Sequence, residues 1–440
     1  MVDPKERYKV FNLRNFRDIP QVRNALSEEE RRDIEIVGSI LPFKVNNYII
    51  KELIDWWNIP DDPVYQLTFP QKNMLSESHF RRMKSAMDKI SGKLETGRII
   101  NDIRHELNPH PAGQVHNIPE IDGKKLNGIQ HKYRETVLFF PNSCQTCHAY
   151  CTFCFRWPQF TGLEELKFAM KEVNYLVKYI KRHPEITDVL ITGGDPMVMS
   201  AKKFKSYIDP LIKSELENLQ TIRIGTKSLS YWPYKFLTDH DADDMLRIFE
   251  KIVKKGFNLA FMAHINHPNE LKTMAVQKAI KKILATGAQI RTQSPVMKHI
   301  NDDPDTWMEM WKLQVKLGMI PYYMFVARNT GAQEYFAISL EKALRIYKTA
   351  YQQVSGIART VRGPSMSATP GKVQVLGINE IQGEKVFTLQ FIQGRNPNWV
   401  RKPFFAKYNP DAIWLDDLEP AFGEENFFFE IEPRARLSVS

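Results

Sequence analysis

The sequence has no run of about 20 consecutive apolar residues, the length that a membrane-spanning helix requires. Residues 1–16 also lack the apolar core of a secretory signal peptide. Hydrophobic residues make up 43% and charged residues 25% of the 440 positions, a composition typical of globular proteins. We therefore expect a cytoplasmic chain without a membrane partner.

A concentrated basic run is missing too, although the formal net charge is +10. Lysine and arginine are spread over amphipathic segments such as residues 171–183. Proteins that bind nucleic acid usually gather these side chains on one stretch or face. The pattern therefore favours a solvated basic surface and predicts no nucleic-acid partner.

Cysteine is scarce, and the four cysteines all lie between Cys144 and Cys154. Thiols so close in sequence cannot join distant parts of a fold as a disulfide framework does. Cys147, Cys151 and Cys154 follow a predicted strand with three and two intervening residues. Such thiolates are the usual ligands of iron–sulfur clusters, and three of them would leave one iron of a four-iron cluster open.

Two other metal sites compete with this interpretation. A structural zinc ion usually takes two separated pairs of ligands, which this sequence does not offer. A fully ligated electron-transfer cluster would need Cys144 as its fourth ligand, but simple ferredoxins are much shorter chains. The open cluster is the prediction that fits the spacing best.

Residues 135–355 alternate short β-rich runs with helical segments, which predicts an α/β fold with a parallel sheet. The predicted strands begin at Thr136, Asp188, Thr221, Asn258, Gln289 and Pro321. Periodicity does not distinguish a full or partial barrel from an open doubly wound sheet. In each of these folds the functional residues gather at the carboxyl ends of the strands.

The first helical segment between strands has apolar residues at steps of three and four, which predicts one buried face. These residues are Leu166, Met170, Val173, Val177 and Ile180.

Different patterns flank this core. Residues 1–134 are predicted to form a mainly helical extension, in which Ser27 and Glu30 match a capping box. Residues 356–440 lose the alternation and are rich in aromatic residues, so we predict an irregular segment. Its Phe427-Phe428-Phe429 run would either cap the core or supply contacts for a homo-oligomer.

The three cysteines, with Phe153 before the last of them, resemble the motif of the radical S-adenosylmethionine (SAM) superfamily. Residues 61 to about 375 also resemble the lysine 2,3-aminomutase family. The matching landmarks, in family order, are Cys154-Phe155-Arg156, Gly193-Gly194-Asp195, Ile222-Arg223-Ile224-Gly225, Asn266-His267-Pro268-Asn269-Glu270, Gln293-Ser294, Pro321-Tyr322-Tyr323 and Gly371-Lys372.

This resemblance implies a partial (β/α)6 barrel of the radical SAM type and an isomerase that carries a [4Fe–4S] cluster. One electron from a flavodoxin-like or ferredoxin-like donor would cleave SAM to a 5′-deoxyadenosyl radical, which abstracts hydrogen from an amino-acid substrate. The cluster ligands would be Cys147, Cys151 and Cys154. The SAM-binding residues implied by the family are Phe153, Gly193, Gly194, Asp195, His264 and Gln293.

The family also binds pyridoxal 5′-phosphate (PLP) through a catalytic lysine, and Lys372 matches that residue. Arg156 matches an arginine that helps to hold the cofactor. The glycine run before the lysine is reduced to Pro370-Gly371, and Thr136 stands where well-known members have another arginine. These departures leave room for a radical SAM enzyme that works without PLP and carries out another hydrogen abstraction.

Lysine-specific members hold the substrate ammonium with two aspartates, whereas this chain has Arg328 and Ser365 at those positions. An arginine pairs with a carboxylate and repels an ammonium. We therefore predict a carboxylate-bearing substrate such as glutamate, unless Arg328 turns outward or pairs with Glu334. A non-catalytic iron–sulfur protein is a third alternative, which Gly193-Gly194-Asp195 and the three-cysteine motif disfavour.

Overall fold

The computed structural model describes residues 7–88, 93–108, 117–162 and 168–431. The strands are β1 Val10–Phe11, β2 Val45–Asn46, β3 Glu120–Ile121, β4 Lys124–Lys125, β5 Ile129–Tyr133, β6 Thr136–Phe139, β7 Asp188–Ile191, β8 Thr221–Thr226, β9 Asn258–His264, β10 Gln289–Val296, β11 Ile320–Val326, β12 Arg362–Ser367, β13 Gly371–Ile381, β14 Glu384–Gly394 and β15 Pro403–Lys407. The helices are α1 Pro20–Ala25, α2 Glu28–Ile40, α3 Pro63–Thr68, α4 Glu77–Asp88, α5 Lys93–Glu106, α6 Val173–Arg182, α7 Ala201–Lys213, α8 Ser228–Tyr231, α9 Ala242–Lys254, α10 Met274–Ala285, α11 Pro304–Lys316, α12 Gln333–Phe336, α13 Leu340–Gln352 and α14 Phe428–Ile431.

Eleven strands form one mixed sheet, in which β5 to β15 are neighbours in chain order. Strands β6 to β12 run parallel, because at least one helix returns the chain between each pair. Strands β5, β13, β14 and β15 extend the sheet antiparallel to their neighbours. The predicted α/β fold and all six predicted strands are confirmed.

The two flanks of this sheet approach one another, so the sheet curves into a partial barrel. Lys132 on β5 donates a hydrogen bond from Nζ to the carbonyl of Ala368, 2.5 Å away and just after β12. Side chains from β5 and β14 line the same cavity. In the described residues β5 and β15 do not pair with each other, so the barrel is not closed.

The helices cover the sheet with apolar faces. Val173, Val177 and Ile180 of α6 are buried as predicted, but the helix begins only at Val173. The backbone of Met170 instead forms hydrogen bonds with Phe140 and Asn142, which removes it from the helix. Leu166 lies outside the described residues.

The amino-terminal part contains helices α1 to α5, and α2 has the predicted capping box between Ser27 and Glu30. The carboxyl-terminal part is more regular than its sequence indicates, since it contributes β12 to β15 to the sheet. Phe427 and Phe429 are buried in a cluster with Phe391 and Phe404 on β14 and β15. None of the helices in the described ranges has the length and apolarity needed to cross a membrane.

Candidate active site

The carboxyl ends of the parallel strands surround a cavity of about 310 Å³. Residues at or after the ends of β7 to β11 line it, as expected for a parallel sheet. Ser367 on β12 and Lys372 on β13 complete its wall. The cavity therefore brings together residues that are widely separated in the sequence.

Cys147, Cys151 and Cys154 all line this cavity. Burial raises the pKa of the Cys151 thiol to about 12 and that of Cys154 to about 11. A bound metal would displace these protons, since thiolates are the ligating form. Cys144 does not line the cavity, and its buried thiol donates to the carbonyl of Pro141 at 3.3 Å.

The three thiols fit the predicted cluster better than a single ion. Within the described ranges, no group of three His, Cys, Asp or Glu side chains is placed to hold one metal ion. In a [4Fe–4S] cluster each thiolate binds a different iron, so the ligands need not converge on one point. Cys147, Cys151 and Cys154 would hold such a cluster at the cavity wall.

The Gly193-Gly194-Asp195 turn packs directly against the loop that carries the cysteines. The amide groups of Gly194 and Asp195 donate to the carbonyls of Cys144 and Thr146 at 2.9 and 2.8 Å. A Cβ atom on Gly194 would lie only 2.3 Å from the Thr146 carbonyl oxygen. Glycine is therefore required for the contact between these two loops, and both loops reach the cavity.

Asp195 is buried, and its side chain links the turn to residues at and after the end of β8 through hydrogen bonds. Its carboxylate accepts hydrogen bonds from the hydroxyls of Thr226 and Ser228 at 2.7 and 2.9 Å, and from the amide of Lys227 at 2.8 Å. Burial raises the pKa of Asp195, and these hydrogen bonds oppose the rise. The carboxylate thus holds two cavity-lining segments together.

His264 and Gln293 lie side by side on β9 and β10 and line the cavity. The amide nitrogen of Gln293 lies 2.7 Å from Nε2 of His264. Burial lowers the pKa of His264 to about 3, so its neutral ring accepts this hydrogen bond. Phe153 also lines the cavity and packs edge-on against Phe336.

Lys372 lies at the boundary between this cavity and a second one of about 190 Å³. Its Nζ atom donates to Oε1 of Gln393 at 2.9 Å and lies 4.3 Å from the centre of the Tyr323 ring. Burial, together with the nearby Arg223 and Arg362, lowers the pKa of Lys372 to about 7. A large fraction of the amine is therefore neutral at physiological pH.

The second cavity is strongly cationic. The basic residues that line it are Lys132, Arg156, Arg223, Arg328, Lys372 and Arg395. No Asp or Glu from the described ranges lines it. Burial and the neighbouring cations hold the pKa of Lys132 well below its usual range. This surface is suited to phosphate or carboxylate groups.

Arg156 and Arg328 line both cavities, and the described residues do not satisfy all the hydrogen-bond donors of either guanidinium group. The Nη1 atom of Arg156 and Nε of Arg328 are buried and have no hydrogen-bond partner in the described residues. Their guanidinium carbons lie 5.0 and 5.1 Å from the centre of the Phe155 ring. Arg328 thus lines the cavities, and within the described part of the chain it forms no ion pair with the alternative partner Glu334.

Ser365 is not brought to either cavity. Its buried hydroxyl donates to the carbonyl of Met324 on the neighbouring strand at 3.3 Å. Ser367, two positions along β12, lines both cavities instead. The structure therefore corrects the predicted placement of Ser365 in the substrate pocket.

Several cavity residues were not identified from the sequence. Lys132, Arg395 and Gln393 lie on elements outside the predicted parallel core, and only the curved sheet brings them to Lys372. Lys227 follows a recognised strand and lines the first cavity, where its Nζ donates to Asn266 at 2.7 Å. The sequence carried no signal for Gln393, and none for Lys132, Lys227 and Arg395 beyond their positive charge.

No protein-family model matches the chain. A radical SAM methyltransferase from Sphaerobacter thermophilus aligns structurally with a TM-score of 0.38 at 15% identity, over 63% of this chain and 83% of that chain. The L-lysine 2,3-aminomutase of Bacillus subtilis (strain 168) is 26% identical over 346 residues, 79% of this chain and 63% of that protein.

A protein of Aquifex aeolicus (strain VF5), which carries the provisional name L-lysine 2,3-aminomutase, is similar over nearly the whole length of both chains. It is 30% identical over 416 residues, which cover 94% of this chain and 96% of that protein. The chain belongs to the lysine 2,3-aminomutase family, whose members are isomerases of the radical SAM class.

Proposed function

We propose that the chain is a radical SAM aminomutase that moves the amino group of a carboxylate-bearing amino acid to a neighbouring carbon. Family membership implies a [4Fe–4S] cluster and SAM. The observation that carries the substrate proposal is the cationic second cavity, which adjoins the cysteines' cavity and shares Lys372 with it.

The chain contains residues that would bind each cofactor. SAM supplies a hydrogen-abstracting radical when one electron enters the cluster, and PLP supplies a conjugated system that lets nitrogen migrate. Cys147, Cys151 and Cys154 would hold the cluster beside the Gly193-Gly194-Asp195 turn. Phe153, His264 and Gln293 would line the SAM site.

Lys372 would bind PLP, since its lowered pKa gives the neutral amine that nucleophilic attack requires. The cations around it suit the phosphate group. The cations Arg395 and Arg156 line this cavity, Arg156 on the wall shared with the cysteines, and the Lys132 amine, whose pKa is held well below its usual range, adds a hydrogen-bond donor. These cations offset the neutral Thr136, which lines the same cavity.

Arg328 would select the substrate. Its buried Nε lacks a partner in the described residues, and a substrate carboxylate would supply one. The ammonium of lysine would instead meet several cations and no carboxylate in the described lining, a costly arrangement. An acidic amino acid therefore fits this pocket better than lysine.

The test compares wild-type enzyme with Arg328→Ala, after anaerobic reconstitution with iron, sulfide and PLP. We expect wild type to convert glutamate to its 3-amino isomer and to leave lysine unchanged. Loss of a charged hydrogen bond of about 1.5–3 kcal/mol predicts a drop in kcat/KM of roughly 10- to 150-fold in Arg328→Ala. Cluster and PLP content should be unchanged.

The matched control is Arg345→Ala, which removes an exposed arginine from α13 and should retain full activity. Efficient turnover of lysine by the wild-type enzyme would contradict the substrate proposal. So would an Arg328→Ala variant that processes glutamate as fast as wild type.

A further inference from the structure

The loop that carries the cysteines is held from outside by the amino-terminal part of the chain. Backbone groups of this loop form hydrogen bonds with residues between Tyr8 and Leu67. The contacts are Tyr8 Oη to the His148 carbonyl at 2.7 Å, Asn46 Nδ2 to the same carbonyl at 3.3 Å, the Tyr150 amide to the Lys44 carbonyl at 2.8 Å and the Thr152 amide to the Leu67 carbonyl at 3.0 Å.

Lys44 contributes a positive charge as well as hydrogen bonds to this loop. Its ammonium donates to the carbonyl of Cys147 at 2.7 Å and to the hydroxyl of Thr146 at 2.9 Å. The same nitrogen lies 5.4 Å from the centre of the Tyr150 ring. No carboxylate in the described ranges forms an ion pair with Lys44, so the cysteine loop receives its positive charge.

We propose that Lys44 is a positioning residue whose positive charge stabilises the cluster, and its reduced form most of all. A four-iron cluster held by these three thiolates would be anionic, and one electron from an external donor would make it more negative. A cation held beside one of these ligands in a partly buried site lowers the free energy of the reduced state more than that of the oxidised state. Lys44 thereby raises the midpoint potential and eases electron entry.

This inference rests on the cluster that family membership implies, and it is independent of PLP and of the substrate. The variants are Lys44→Gln, which keeps a hydrogen-bond donor without the charge, and Lys44→Arg, which keeps both. Lys202→Gln is the matched control, because it removes the same charge from an exposed position on α7. Each full-length protein is reconstituted anaerobically and titrated against potential while the reduced cluster is followed by electron paramagnetic resonance.

We expect the midpoint potential to shift to more negative values in Lys44→Gln and to stay near wild type in Lys44→Arg and Lys202→Gln. A Lys44→Gln protein that folds, binds fewer irons than wild type and is rescued by arginine would also support the role of the charge. A Lys44→Gln protein with a full cluster and a wild-type potential would overturn it. Equal defects in the glutamine and arginine variants would do the same, because shape and not charge would then matter.

Discussion

Lys372 lies at the start of β13, where its ammonium faces the Tyr323 ring and has Arg223 and Arg362 nearby. Loss of hydration disfavours the charged amine, and the two guanidinium groups disfavour it further. Both effects act on the nitrogen that we propose binds PLP. These surroundings favour the neutral amine, which is the form that the proposed nucleophilic role of Lys372 requires.

The reactivity of Lys372 should follow this low pKa. As the pH rises through about 7, the amine loses its proton, so acylation by an amine-specific reagent should be half-maximal near that pH. Ordinary surface lysines reach half-maximal reaction at roughly pH 10.4. Peptide mass spectrometry of the cofactor-free protein measures the acylation of Lys372 and of the surface lysines in one experiment.

Arg362→Gln removes one of the repelling cations and should move the midpoint of Lys372 to higher pH. If Lys372 instead reacts in parallel with the surface lysines of the same sample, its amine is not perturbed by burial.

Sequence motifs located some of these residues well and others poorly. Lys372 and Arg328 were found because each follows a recognisable landmark, and both reach the cavities. Ser365 was misplaced, because spacing from the lysine does not show that its hydroxyl bonds to the carbonyl of Met324. Lys132 was missed because a lysine on an edge strand looks like any solvent-exposed lysine.

Among the elements, the contact between the cysteine loop and the turn after β7 leaves no room for added volume at Gly194. We expect Gly194→Ala to displace Thr146, whose carbonyl oxygen lies 2.3 Å from the position of the new Cβ. Overpacking of this kind costs about 1–3 kcal/mol of unfolding free energy. Iron bound per chain after reconstitution should fall as well.

Gly97→Ala on α5 is the control, since a Cβ there meets nothing within 4 Å. In a helix this change should stabilise the protein by about 0.5–1 kcal/mol and leave iron binding unchanged. Urea unfolding and iron analysis measure the two quantities. A Gly194→Ala protein with wild-type stability and iron content would show that the two loops can separate without consequence.

Six of the seven parallel strands, β6 to β11, were predictable because each is a β-rich apolar run followed by a helical segment. The β13–β14 hairpin was not recognised. Its two-residue loop, Gln382-Gly383, has positive φ angles at both positions, as the favoured hairpin turns require. Gln-Gly is a weaker hairpin signal than Asn-Gly or Asp-Gly, so the sequence did not reveal this turn.

At the scale of the whole molecule, the site depends on how far the sheet curves. Strand β5 and strands β12 to β14 flank the parallel core on opposite sides, and the hydrogen bond from Lys132 to Ala368 joins them. The second cavity lies at this junction and is lined by basic residues from both flanks. Periodicity within single elements predicts the core but carries no information about curvature, so the second cavity could not be predicted.

We propose that both cavities serve one reaction, in which a radical generated beside the cysteines would act on an acidic amino acid held near Lys372. The most direct test supplies reconstituted enzyme with SAM, PLP, a low-potential reductant and glutamate or aspartate deuterated at C3. Mass spectrometry of 5′-deoxyadenosine then shows where the radical took its hydrogen. We predict deuterium in 5′-deoxyadenosine with wild type and its loss in Lys372→Ala and Cys151→Ala; deuterium transfer from labelled lysine, with none from either acidic amino acid, would contradict the account.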